Sequence, residues 1–195
     1  MDSANEALDG LEITIFEDAA RWEAWLGEHH EDEAGVWLKV AKRDSGLASV
    51  TIAEALEVAL CYGWIDSHRK AYDERFFLQK YTPRRSRSSW SKVNVDKVEA
   101  LIAAGRMQVS GLAQIAAARA DGRWDAAYDS QRSATVPRDL STALDANALA
   151  KERFESLGKS DRYAVILRLL KASGPADRAA RLRKAVDTLT SNGQP

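Results

Sequence analysis

The chain has 195 residues, 45% hydrophobic and 29% charged, with 11 Gly and 4 Pro, which excludes disordered, collagenous and low-complexity classes. At roughly 150 residues per domain, that length makes one domain, or one with a short second. Its 28 basic and 29 acidic side chains leave a net charge of −1, so any hold on nucleic acid or an anionic membrane would need a local patch.

Taken in chain order, Leu11, Ile13 and Ile15 alternate with Glu12 and Thr14, the period of a half-buried strand over about 11–16. Asp18 precedes Trp22, Trp25 and Leu26 at helical spacing and predicts an N-capped helix reaching about His29. Gly35 to Val40 reads as the next strand. Thr51-Ile52-Ala53-Glu54 is a capping box, and Ile52, Ala55, Leu56, Ala59 and Leu60 form one apolar face of a buried helix ending near Cys61. After Gly63 two extended arms, Ile65 to Tyr72 and Arg75 to Tyr81, flank Asp73-Glu74 as a hairpin. Thr82-Pro83 ends it, because proline cannot donate to a ladder. Ser91 is placed to cap a helix whose buried face is Val95, Val98, Leu101 and Ile102, stopped by Gly105. Another helix runs from Ser110 to Gly122, and Trp124 and Tyr128, four apart, are expected to share a helical face.

Residues 130–137 carry no periodicity and read as a linker. Beyond them, helices are expected to start near Pro137, Ala146, Ser160 and Pro175, with stripes such as Tyr163, Ile166, Leu167 and Leu170. The expected fold is α+β: a small antiparallel or mixed sheet with packed helices, in the order β-α-β-α-β-β over 10–129, then an all-helical subdomain over 138–190. Both ends, 1–9 and about 190–195, read as frayed.

Residues 1–6 lack the basic and apolar regions of a signal peptide. Cys61 is the single cysteine, which excludes an intramolecular disulfide framework and fits a reducing compartment. No apolar run approaches the ~18 residues of a membrane span. A soluble cytoplasmic protein without a membrane span is the expectation. His29-His30-Glu31-Asp32-Glu33 is a polar loop without the spacing of a metal site, so no metal is expected, and no cofactor motif is present.

Charge is unevenly placed along the chain. Residues 1–33 hold eleven acids against Arg21 alone, and residues 68–97 hold nine bases against three acids. Either the acidic segment lies across the basic one, or both are solvated faces. Within the basic stretch, Thr82-Pro83-Arg84-Arg85-Ser86-Arg87-Ser88-Ser89-Trp90-Ser91 sits between a hairpin and a helix N-terminus. Three arginine forks with the hydroxyls of Ser88, Ser89 and Ser91 suit a phosphate or carboxylate, and Trp90 could stack on a ring or acyl body. Alternatively Ser91 only caps, Trp90 only packs, and the arginines pair internally. One loop without a longer basic track makes nucleic acid a minor reading.

Ala59 to His68 is a helix that breaks at Gly63 and enters a strand, an arrangement that can put Trp64 and Asp66 at the lip of a cleft. Asp66 is the candidate acid or base, or else orients an arginine of the 84–87 loop, with His68 on the same strand face. A Cys61/His68 pair is opposed by the apolar helix that Cys61 continues. Arg123 and Trp124 are candidates for a further wall.

Ala59-Leu60-Cys61-Tyr62-Gly63-Trp64-Ile65-Asp66, Thr82-Pro83-Arg84-Arg85, Ser89-Trp90-Ser91-Lys92-Val93-Asn94, Gly105-Arg106-Met107 and Asp121-Gly122-Arg123-Trp124-Asp125-Ala126-Ala127-Tyr128 occur in this order. Together they resemble the bacteriocin-protection family, also called YdeI/OmpD-associated, from about Trp22 to Leu189. The resemblance implies protection against bacteriocins or cationic antimicrobial peptides and association with an outer-membrane porin, and carries over no catalytic residues. The C-terminal pattern of that family, a Lys followed by a Thr-Arg pair and another base, departs here: Lys171, Arg178 and Arg181 keep the bases, and Asp177 stands at the threonine.

The leading expectation is a stress or resistance protein that binds a small anionic ligand, or an acidic partner segment, in a cleft of Trp64, Asp66, Arg84, Arg85, Arg87, Ser88, Ser89, Trp90, Ser91, Arg123 and Trp124. The alternatives are an enzyme acting on a phosphate- or carboxylate-bearing substrate with Asp66 as acid or base, and a protein-interaction module built on the C-terminal helices.

Overall fold

The computed structural model describes residues 6–32 and 34–191; the expectations for residues 1–5, Glu33 and residues 192–195 lie outside the described residues. Residues up to 88 group with 94–125 into one compact unit, and residues 89–93 group with those from 126 onward into another.

The first unit is built on a mixed five-stranded sheet of β1 (Ala7–Leu8), β2 (Leu11–Thr14), β3 (Val36–Ala41), β4 (Trp64–Ala71) and β5 (Phe76–Pro83), in the order β1-β2-β3-β5-β4. Only β2 and β3 run parallel; the other neighbouring pairs are antiparallel. The β2–β3 crossover is α1 (Ala19–His29), opened by Asp18, whose side chain accepts from Arg21 N at 2.9 Å. The helix α2 (Ile52–Cys61) follows, and both halves of the Thr51/Glu54 capping box are formed.

Strand alternation decides what each sheet face holds. Val36, Leu38 and Val40 meet Trp22 and Leu26 of α1 and Ala55, Val58 and Ala59 of α2, all buried. Trp22 Nε1 donates to Ala55 O at 3.1 Å, satisfying a polar atom that burial would otherwise leave unpaired. Opposite faces of the same strands carry a smaller cluster of Leu11, Trp37 and Leu78, with Leu8, Ile13 and Tyr72 packed against it.

The expected order lacked a strand. Residues 6–9 were read as frayed, but Ala7–Leu8 pairs with Leu11 and Glu12 through a two-residue turn at Asp9-Gly10, both at positive φ (54° and 77°). Asp-Gly is the dipeptide that such hairpin turns favour.

After β5 come α3 (Lys92–Ala103) and α4 (Val109–Ala120). Val98 and Leu101 are buried as expected, whereas Ile102, placed on the buried face by the sequence, is 39% exposed. Residues 121–126 form turns and Tyr128 an isolated bridge with Ser91, so Trp124 and Tyr128 share no helical face.

The second unit holds α5 (Arg138–Asp145), α6 (Ala148–Ser156), α7 (Lys159–Leu170) and α8 (Pro175–Thr190). Leu140, Leu144, Phe154, Ile166, Leu169 and Leu189 form its core. Arg178 donates a fork to Asp139 at 2.6 and 2.9 Å and a third bond to Leu169 O, while Arg181 bonds Asp177 at 2.8 Å and Arg168 O at 2.9 Å. Both arginines thus cover carbonyls at the C-terminal end of α7, where cations complement the helix dipole. The two bases kept from the family pattern, Arg178 and Arg181, thus act as internal ties. No helix among the described residues is long and apolar enough to cross a membrane.

Candidate functional site

The end of β5 and the segment after it build the basic site. Lys80, Thr82, Pro83, Arg84 and Arg85, with Ala34, line a cavity of about 370 Å3. Alternation puts Lys80 and Thr82 on one face of β5, and Arg84 N donates to Gly63 O at 3.0 Å, which holds the chain beside the start of β4. Arg84 itself is buried, at 5% exposure.

Arg85 to Ser88 is a turn. Ser88 N donates to Arg85 O at 2.9 Å, and Arg85 N donates to the Ser88 hydroxyl at 3.1 Å. Arg123 braces it: its Nη1 donates to Ser88 O at 2.9 Å, while its Nε is held by Asp121 at 2.7 and 2.9 Å. Ser88 and Arg123 therefore shape the turn that carries Arg85, and neither lines the cavity.

Acidic residues cover part of the lysine-bearing sheet. Glu6 lies 3.8 Å from Lys39 and takes the Tyr72 hydroxyl, and Asp9 bonds Lys70 at 2.8 Å. That bond, with help from Lys80, holds the Asp9 carboxyl below its ordinary value. Lys80, Arg85 and Arg87 enter no ion pair among the described residues. Internal pairing of the acidic segment thus accounts for Lys39 and Lys70 and stops short of the cavity.

The remaining candidates are placed differently. Trp64 is wholly buried in the core and donates Nε1 to His30 O at 2.8 Å, so it stands inside the core and not at the lip of a cleft. Asp66 pairs in register with Tyr81, but a register shift between Asp66 and Arg69 interrupts the alternation, so the period that placed His68 on the Asp66 face does not hold. Burial, and then Asp66, push the Tyr81 hydroxyl up from its ordinary value. Cys61 is buried, and burial pushes its thiol up, which opposes a nucleophilic role. Trp124 is 8% exposed, with the Arg119 guanidinium 4.9 Å from its ring centroid. Arg87 is exposed on the turn.

Ser89, Trp90 and Ser91 belong to the second unit, so the unit boundary falls inside the predicted Arg/Ser/Trp cluster. There Tyr128 N donates to Trp90 O and Lys92 N to Tyr128 O, and Trp90 is 2% exposed. Lys80 and Thr82 were not singled out from the sequence, although Lys80-Thr82-Arg84 at steps of two signalled one polar edge.

Residues 14–114 match the family described as Domain of unknown function (DUF8412). The chain belongs to that family. All six cavity-lining residues of this DUF8412 member fall within the match. Residues 133–192 match a second family, described as Bacteriocin-protection, YdeI or OmpD-Associated, and contain all of α5 to α8. The resemblance read from the sequence is thus carried by this C-terminal part, while four of its five motifs lie within the DUF8412 match. No curated protein and no solved structure matches the chain.

Proposed function

We propose that this DUF8412 member is an anion-binding protein that takes a small phosphate or carboxylate ligand in the cavity beside the end of β5. The observation that carries this reading is the lining: Lys80, Arg84 and Arg85 with the Thr82 hydroxyl, and no carboxylate among the described lining residues. Guanidinium forks suit planar or tetrahedral oxyanions, and Lys80 adds a point charge. At roughly 1.5–3 kcal/mol for each charge-assisted hydrogen bond, two or three such bonds give a bare oxyanion an affinity between about millimolar and micromolar. The enclosed size favours a small ligand over an extended acidic peptide. Asp66 does not line this cavity, so the reading needs no catalytic step. The bacteriocin-protection description of the C-terminal match supports a role for such binding in resistance or stress.

Thermal unfolding at fixed ionic strength tests the reading, with inorganic phosphate, short carboxylates and an acidic peptide as ligands. Saturating ligand at about 100 times Kd stabilises by about 2.7 kcal/mol, so phosphate or a carboxylate is expected to raise the wild-type midpoint and leave Lys80→Ala/Arg85→Ala unmoved. Equal shifts in both proteins, or a shift with the peptide alone, would contradict it.

A further inference from the structure

We infer that the C-terminal helical unit carries a second ligand site, sharing no residue with the first, for an organic anion with an oxyanion head and an apolar body. A cavity of about 560 Å3 lies against the N-terminal half of α7 and the segment before α5, a size within the range of small-molecule sites. Its cations are Arg132, Lys159 and Arg162, and its apolar wall is formed by Val136, Tyr163 and Ile166, with no carboxylate among the described lining residues. Asp161, the acid of the same first helical turn, lines a different cavity.

The three cations are differently held. Arg162 is fixed: its Nη2 donates to Glu155 O at 2.9 Å and to Leu157 O at 3.0 Å, and its guanidinium lies 5.9 Å from the Phe154 ring centroid. Its Nε is buried and has no hydrogen-bond partner. Arg132 and Lys159 are exposed and enter no ion pair among the described residues. One cation anchored by backbone carbonyls and two adjustable ones on the same cavity wall concentrate positive charge where an oxyanion can be held.

The wall gives the ligand its second half. Tyr163 is pinned by its hydroxyl bond to Asp129 O at 2.9 Å, so its ring presents a set surface, and Ile166 belongs to the helical core. Gln131 Nε2 bonds the Ser160 hydroxyl at 3.3 Å and ties the two lining segments together. Lys159 begins α7, and the Gly158 N-cap supplies no side-chain acceptor, so the positive end of that helix adds to the field of the cations. Neither a bare oxyanion nor a neutral apolar molecule uses both halves.

The test is an amide chemical-shift titration of the full chain with phenyl phosphate, inorganic phosphate and benzyl alcohol. Phenyl phosphate is expected to shift amides in 131–136 and 159–166, binding there about tenfold or more tighter than either half-ligand. Arg132→Ala/Lys159→Ala, two exposed positions outside the core, is expected to weaken that binding about tenfold or more while leaving resonances of α1 to α4 in place. Inorganic phosphate binding at Lys80 and Arg85 is untouched by this variant, so the two sites fail or stand separately. Benzyl alcohol binding as tightly as phenyl phosphate, unchanged affinity in the double variant, or no shifts in these segments at about 10 mM phenyl phosphate would overturn the inference.

Discussion

A methyl group added at Gly111 would run into the Cys61 carbonyl oxygen, which already accepts from Gln108 N at 3.0 Å. The Cys61 carbonyl is backbone at the end of α2 and cannot swing aside, although Met107 Cε, the other contact at 2.8 Å, is a side-chain end that can. Gly to Ala within a helix ordinarily stabilises by about 0.5–1 kcal/mol. Here the overlap reverses the sign, and Gly111→Ala is expected to cost about 1–3 kcal/mol, read as a lower urea midpoint with an unchanged slope. A stabilised variant would show that α4 can move off α2 without penalty. At the same scale, Trp64 and Lys80 exchange the importance expected of them. The helix break at Gly63 suggests a cleft at Trp64, but this residue begins a strand inside the sheet and meets Trp25 and His30 from α1 and its end, contacts that no local pattern contains. Lys80 enters the sequence reading only in a count of charges, and its place on the cavity wall singles it out.

At the scale of elements, cap chemistry was the most legible feature, because a cap bond joins residues about three apart. Asp18, Thr51 and Glu54 make the bonds their spacing predicts, and the two long arms around Asp73 form the hairpin, with Asp73 accepting from Arg75 N and Phe76 N at 2.7 Å. Two signals in the sequence are misleading. Asp9-Gly10 closes a strand pair in a stretch read as frayed, and the aromatic spacing of Trp124 and Tyr128 suggested a helix where the chain turns. Short elements carry little periodicity, so their turns decide them.

The α7–α8 junction yields a pH prediction. The Arg178 fork holds Asp139 below its ordinary value, and Arg181, with Ser173, lowers Asp177 to about 2. Both carboxyls ionise at lower pH folded than unfolded, where the reference is about 3.9. Their contribution is therefore complete above the unfolded value and is lost as pH falls toward the folded values. Urea unfolding at about pH 6 and about pH 3 should show a smaller change for Asp177→Asn than for wild type. Identical pH dependence in both proteins would remove Asp177 from the account.

For the whole molecule, a net charge of −1 conceals a segregation that matters more than the sum. Glu6 and Asp9 answer Lys39 and Lys70, whereas Lys80 and Arg85, which line a cavity, enter no ion pair among the described residues. Charge totals along the chain could show the imbalance, but strand pairing decides which cations are answered. The family matches divide the chain in the same sense, with the basic cavity in the DUF8412 part and the four-helix core in the part that matches the family described as Bacteriocin-protection, YdeI or OmpD-Associated. Oxyanion binding in the first cavity is the proposed consequence of that segregation. Its most direct test is an amide chemical-shift titration with inorganic phosphate at constant ionic strength. The account predicts saturable shifts at Lys80, Thr82, Arg84 and Arg85, with a Kd between about millimolar and micromolar, and their loss in Lys80→Ala/Arg85→Ala. An absence of saturable shifts at these amides up to about 50 mM phosphate, or the same titration in the double variant, would contradict it.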